Sequence, residues 1–345
     1  MGLTPVPGSD LHGPLIAPLP PDPARPLISV MIPTYNSGDF LRETLRSVIV
    51  QDLGPQIMEI ALVDNCSTDA DPFVIAREIA GDRIIFHRQP RNVGPIENFN
   101  TCARLAHGYW VHILHADDMI EPGFYAHARA AIAVHPGIGA YSCRHAFTDE
   151  DGTWLSLAEP QAAKPQILGP DFVERQLTGQ RLHFASLIVK RSVYEELGGF
   201  RSVFQHCPDW DMWNRLVLTH RFFYDPAILA CNRLHTRSDT SKMIRSGENV
   251  REERRCVRLS CSYLPREDGK RLYRTAMQIA AIRALRHVYR YWKRGDKGTA
   301  FRQLVEALRC VASRMSAGVA YGTWRSPAKP RHATVDSRSG AHRPA

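Results

Sequence analysis

The chain switches repeatedly between short apolar runs and segments of helical period. Ile28-Ser29-Val30-Met31-Ile32-Pro33 is an apolar run closed by a turn signal, which marks a buried strand. Phe40, Leu41, Leu45, Val48 and Ile49 then recur at helical spacing, with Ser37 or Asp39 available as a cap. Residues 57–63 form a second buried-strand candidate that ends at Asp64, and a helix is expected near residues 71–79. Residues 83–87 read as a third strand, residues 95–107 as a helix and residues 109–114 as a fourth strand. Strands alternating with helical segments of roughly 10–15 residues call for an α/β fold with a largely parallel sheet and helices on both faces.

In such a sheet, ligands bind at the carboxyl ends of the strands. Polar clusters stand at all four of these ends. They are Thr34-Tyr35-Asn36, Asp64-Asn65, Asn92-Val93-Gly94 and Asp117-Asp118. No G-x-G-x-x-G follows the first strand and no G-x-x-x-x-G-K-[ST] occurs, which argues against a nicotinamide, flavin or P-loop site. A nucleotide site here would rest on carboxylates and a metal.

Composition narrows the class. The 345 residues are 44% hydrophobic and 23% charged, which suits a chain able to bury a large core. No run of about 18 apolar residues appears, so a polytopic membrane protein is not expected. The net charge of +9 is unevenly placed. Residues 251–345 hold 22 of the 44 Lys and Arg but only 7 of the 35 acidic residues, a balance of +15 against −6 for the rest. Eight cysteines without a C-x-x-C pair fit reduced thiols and a cytoplasmic location. Residues 1–26, broken by many prolines, read as a disordered lead-in and not as a signal peptide.

Several residues carry candidate chemistry. Asp117 and Asp118, at a strand end, suit Mg²⁺ or Mn²⁺ holding a diphosphate, or else cap a turn. Asp64 can accept hydrogen bonds from a base or ribose, with Asp69 as the expected cap of the next helix. Asp209 and Asp211 stand at a helix start, where a carboxylate near a diphosphate can act as general base. Trp210 and Trp213 can stack on a sugar or pack, and His235 can complete a metal shell or touch a phosphate. His107, His112 and His115 with Asp117 form a weak zinc candidate, because His112 and His115 point to opposite faces of a strand.

Taken in order, these motifs resemble the family 2 inverting glycosyltransferases. The resemblance rests on residues 29–36, Val63-Asp64-Asn65-Cys66-Ser67-Thr68-Asp69, Asn92-Val93-Gly94, His115-Ala116-Asp117-Asp118, Leu197-Gly198-Gly199-Phe200, Pro208-Asp209-Trp210-Asp211-Met212-Trp213 and His235. It covers roughly residues 27–245. It implies a GT-A fold, with a nucleotide-sugar half at 27–120 and an acceptor half at 121–245. It also implies a nucleotide-diphosphate sugar donor, UDP- or dTDP-linked, and a divalent metal. Carried over by position, Thr34, Tyr35, Asn36, Asp64, Asn92, Gly94 and His115 bind the nucleotide. Asp117 and His235 serve the metal and Asp209 is the general base. Asp118, Asp211 and Trp210 are secondary candidates. Two positions depart from the family pattern: His115 replaces the first acid of D-x-D, and Pro208 replaces the Glu before Asp209.

The expected reaction moves a hexose or deoxyhexose to a glycan or lipid-linked acceptor in surface polysaccharide or glycoconjugate assembly. The alternative is a sugar-nucleotide-binding scaffold impaired by His115. A nucleotidyltransferase would need a Gly-rich basic loop after the first strand, and nucleic-acid binding lacks an aromatic-studded basic motif. Residues 246–320 carry two amphipathic stripes flanked by Arg and Lys, which either pack on the catalytic domain or touch the inner face of a membrane. Residues 321–345 read as a disordered tail.

Overall fold

A computed structural model describes residues 10–235 and 239–315. The expected tail at 321–345 lies outside these residues. The first half alternates β1 (Ile28–Thr34), α1 (Gly38–Ile49), β2 (Met58–Asp64), α2 (Pro72–Ala80), β3 (Ile85–Arg88), α3 (Pro95–Leu105) and β4 (Trp110–Ile113). Next come β5 (Met119–Ile120), α4 (Phe124–Val134), β6 (Ala140–Thr148), β7 (Trp154–Leu157), β8 (Gln166–Ile167) and α5 (Pro170–Thr178). β9 (Leu187–Lys190), α6 (Arg191–Leu197), α7 (Pro208–Thr219) and β10 (Phe222–Arg233) complete the sheet domain.

The strands form one mixed sheet in the order β3-β2-β1-β4-β9-β6-β10-β5, with β7 beside β6 and β8 beside β10. β1 pairs in parallel with β2 and β4, whereas β9 runs antiparallel between β4 and β6. Every residue of β1 is buried, because helices cover both faces of the sheet. Its alternation divides two cores. Ile28, Val30 and Ile32 pack with Leu41 and Leu45 of α1, while Met31 packs with Val63 and, through Val111, toward Trp213 of α7.

Residues 10–26 correct the expectation of a disordered lead-in. Gly13 donates its N–H to the Leu197 carbonyl at 2.7 Å, and Gly199 donates back to Pro14 at 2.7 Å. A Cβ on Gly198 would fall 2.6 Å from the Gly13 carbonyl oxygen and 2.7 Å from that of Pro14, so a glycine there allows this close backbone approach. Ile16 is fully buried, and Arg201 holds the carbonyls of Asp10 and His12. The prolines exclude regular structure there, but the backbone still pairs with the domain.

The chain then folds into α8 (Asp239–Ser246), α9 (Glu248–Ser262), α10 (Arg266–Lys293) and α11 (Lys297–Met315). Cys256 and Val257 of α9 and Leu272, Tyr273 and Met277 of α10 share a core with Trp210 and Leu218 of α7. These helices therefore brace the element that carries Asp209.

Candidate active site

The site collects at the carboxyl edge of the parallel strands. Thr34 is buried at the end of β1, Tyr35 is exposed, and Asn36 takes a left-handed conformation at φ 50°. Asn36 ties two strand ends together. Its side-chain oxygen accepts from the Thr68 N–H at 2.8 Å, and its own N–H donates to Ser67 at 3.1 Å. Asp69 does not cap the second helix as expected. Its carboxylate accepts from Gly38 N–H at the start of α1, and Asp71 caps α2 through Phe73 N–H. Ser37, the cap position of α1, makes no side-chain cap bond.

Asp64 is fully buried. One oxygen accepts from Ser67 N–H at 3.0 Å and the other from Arg88 Nε at 2.7 Å. Both Asp64 oxygens are thus committed to fixed donors, one of them Arg88, which no sequence motif contains. Asn92 and Gly94 form the neighbouring rim. Asn92 Oδ1 accepts from Asn65 at 3.0 Å and from Gly94 N–H at 2.8 Å.

The turn after β4 separates its two carboxylates. The Asp118 carboxylate turns inward and accepts from the Arg233 backbone N–H at 2.9 Å and from Asn232 at 3.2 Å. Burial, with the Asp117 charge beside it, pushes its carboxyl well above the usual range. Asp117 stays 29% exposed and contacts His235 Nε2 at 2.9 Å. Burial works to raise its pKa, but the His235 hydrogen bond and the nearby imidazoles win and hold it low. Arg233 fastens this turn from below: its Nε donates to the Asp117 carbonyl at 2.9 Å, and its guanidinium reaches Glu43 and lies over Phe40.

His115 joins the same cluster. It stacks on Phe99 at 4.9 Å between ring centres and meets Phe184 at 4.4 Å. Burial lowers its pKa, and its buried Nε2 has no hydrogen-bond partner. One ligand atom each from His115, Asp117 and Asp118 lie within 4.8 Å of one another. An unsatisfied imidazole nitrogen beside a partly open carboxylate fits a divalent cation. The expected pair was Asp117 with His235. The cluster brings in His115 and Asp118, and His235 contacts Asp117 through Nε2 at 2.9 Å. The zinc candidate fails because His112 is spent in the core, on Tyr125 and the Ala185 carbonyl, while His107 bonds Glu59.

On the acceptor side, Asp209 sits in the first turn of α7 and accepts from Gln180 Nε2. Burial raises its pKa to about 6, against the pull of the Trp210 N–H and Gln180. β9 is antiparallel to β4, so residues 180–186 just before it lie at the same sheet edge as Asp117. Asp211 is different. It is fully buried between Arg215 at 3.1 Å and Arg201 at 3.3 Å. Trp210 is also buried, with its indole N–H on the Gln176 carbonyl at 2.7 Å, so it cannot stack on a sugar. Trp213 packs against Phe184 and Phe200. Gln180 was missed because no motif contains it. Its only signal is a polar residue in the loop before β9.

Residues 29–198 match the model for glycosyl transferase family 2. Asp209 and His235 lie beyond that stretch. An uncharacterized protein of Mycobacterium tuberculosis is 27% identical over 247 residues, covering 68% of this chain and 76% of that protein. An uncharacterized glycosyltransferase of Rickettsia felis is 24% identical over 229 residues, covering 65% of this chain but only 36% of its own length. Among solved structures, S. aureus TarS 1-349 in complex with UDP-GlcNAc superposes with a TM-score of 0.57 at 16% identity, covering 82% of this chain and 91% of that one. The mannosyltransferase of Pyrobaculum calidifontis, in complex with GDP-Man and Mn²⁺, gives 0.51 at 20% identity, covering 88% and 91%. The mixed sheet, the strand-end site and the matched residues lead to one statement: this chain carries a glycosyl transferase family 2 domain over residues 29–198 and has the GT-A fold.

Proposed function

We propose that the chain transfers a sugar from a nucleotide-diphosphate donor to an acceptor hydroxyl, with inversion and with the aid of a divalent cation. The observation that carries this reading is Asp209, a carboxyl raised to about 6 and held by Gln180 at the sheet edge that also bears Asp117. A base with such a pKa is charged at neutral pH yet still takes up a proton readily. The acceptor hydroxyl passes its proton to Asp209 while its oxygen bonds to the anomeric carbon. The bond from that carbon to the diphosphate oxygen breaks on the opposite face. One displacement inverts the centre and needs no covalent enzyme intermediate.

Asp117 and His115 would hold the cation, and His235 orients Asp117. A cation there supplies charge neutralisation to the departing diphosphate. The rim made by Thr34, Tyr35, Asn36 and the Asn92–Gly94 turn receives the nucleotide, with Asp64 and Arg88 beneath it. A UDP- or dTDP-linked hexose or deoxyhexose is the donor we favour. The TarS complexes with UDP-GlcNAc and UDP support a uridine carrier, while the GDP-Man complex keeps guanosine in the test. A glycan or lipid-linked acceptor in cell-surface polysaccharide or glycoconjugate assembly is the role we assign from the family resemblance.

Calorimetry with UDP, dTDP and GDP, with and without Mn²⁺, tests the site. Metal-dependent binding of one nucleotide, lost in Asp117→Ala, is the expected result. Folded protein that binds none of them sinks the reading. Binding without turnover on any acceptor would favour the scaffold alternative, in which His115 has cost the site its activity.

A further inference from the structure

The hairpin of α10 and α11 carries surface chemistry that neither packing nor transfer uses. Every buried residue of α10 lies at or before Ala284. Across residues 285–298 nothing is buried, so the hairpin tip stands clear of the core. Yet this tip is not polar. Ile282, Leu285, Tyr289 and Trp292 share one helical face, and they are 46–62% exposed. On α11, Phe301, Leu304, Leu308, Val311 and Met315 repeat the same spacing, also exposed.

Cations border the first lane. Ile282, Leu285 and Tyr289 share a shallow groove with Arg286, Arg290 and Lys293. Lys293 lies over the Tyr289 ring at 4.8 Å and Lys297 over Trp292 at 5.7 Å. Asp296 is the single acid among residues 282–298, and it is occupied in accepting the Thr299 N–H at 2.9 Å. Among the described residues, Arg286 and Arg290 make no ion pair. An exposed apolar lane edged by cations marks a contact surface.

Three kinds of occupant divide on chemistry. A second copy of the hairpin would bring the same cations against one another. A nucleic acid would satisfy the cations but leave Ile282, Leu285, Leu308 and Val311 in water. An anionic lipid surface takes both, since aliphatic and aromatic groups enter the acyl boundary while Arg and Lys stay on the phosphates. We propose that this hairpin tip docks the protein on an anionic lipid surface, with Leu285, Tyr289 and Trp292 inserted and Arg286, Arg290 and Lys293 on the headgroups. No helix among the described residues is long and apolar enough to cross a membrane, so the contact is peripheral.

Flotation of the full chain with vesicles tests the proposal. Binding is expected to phosphatidylcholine vesicles containing phosphatidylglycerol and not to phosphatidylcholine alone, and to weaken as salt rises. Tyr289→Ser with Trp292→Ser should lower partitioning about tenfold or more. Arg286→Glu, Arg290→Glu and Lys293→Glu together should lower it by roughly a hundredfold. These side chains are exposed, so circular dichroism should show an unchanged fold. The proposal is overturned if the folded wild type binds neither vesicle, or if both variants bind as well as wild type. It is equally overturned if the variants abolish only self-association or oligonucleotide binding. Flotation reads lipid binding, and gel filtration and an oligonucleotide titration of the same variants read the other two; none of them measures transfer, so failure here leaves the Asp209 reading intact.

Discussion

Two of the carboxylate pairs in this molecule, at the turn after β4 and in the first turn of α7, are divided the same way. At the turn, Asp118 is buried and bound to the backbone of β10, while Asp117 keeps an open face toward His235. On α7, Asp211 is buried between Arg215 and Arg201, while Asp209 meets only the neutral Gln180 and nearby N–H groups. The inner acid is spent on fixed protein donors, and the outer acid keeps capacity for another partner. The lesson is that a cluster of acids overstates the number of working groups. A carboxylate whose oxygens are both committed to fixed donors has little left to offer a ligand.

The division can be broken residue by residue. Asp209→Asn should produce the largest effect, lowering kcat by roughly 10²–10⁴-fold in a transfer assay. Its fold should not suffer. The folded pKa of Asp209 lies above its unfolded value, so the folded state holds the extra proton and wild-type stability declines as pH rises from about 4 to about 6. Denaturant titrations should show this slope in wild type and not in the Asn variant, which should be at least as stable at neutral pH. A clear loss of stability in that variant would place Asp209 with the structural acids.

Asp211→Ala should do the opposite and cost about 3–5 kcal/mol of stability, because it strands the buried Arg215. A variant that unfolds normally but fails only in catalysis would refute the division on α7. Asp118→Ala should cost about 1–3 kcal/mol by leaving the Arg233 N–H and the Asn232 amide without their acceptor. Asp117→Ala should change thermal stability little and abolish metal-dependent nucleotide binding. The smallest effect is expected from Gln180→Leu. It removes a hydrogen bond that favours the charged carboxylate, so the rise of kcat/KM with pH should move upward by about one unit or less. An unmoved profile would detach Gln180 from the base.

The comparison also shows what could be read in advance. Strands β1, β2 and β4 and helices α1 to α3 fell within a few residues of expectation, because parallel strands and amphipathic helices carry local periodicity. The lead-in did not. Its prolines exclude helix and strand, but they say nothing about the Gly198-Gly199 backbone that receives Gly13 and Pro14. Asp69 gave up its expected cap role to Asp71 for a similar reason. Both are good caps, and only the approach of α1 decides that Asp69 serves Gly38.

The sequence by itself determined the fold class and the chemical inventory: four polar strand ends, carboxylates at positions 117 and 209, and a histidine at 235. Those follow from local patterns that survive without knowing what packs where. Tertiary structure alone decided which member of each acid pair faces the site, that His115 leaves a nitrogen unsatisfied beside Asp117, and that Trp210 belongs to the core. It also decided that the tip of α10 and α11 remains uncovered while the base of α10 is buried. Burial and the supply of hydrogen-bond partners depend on residues distant in the chain. Identical side chains a residue or two apart can therefore meet opposite fates.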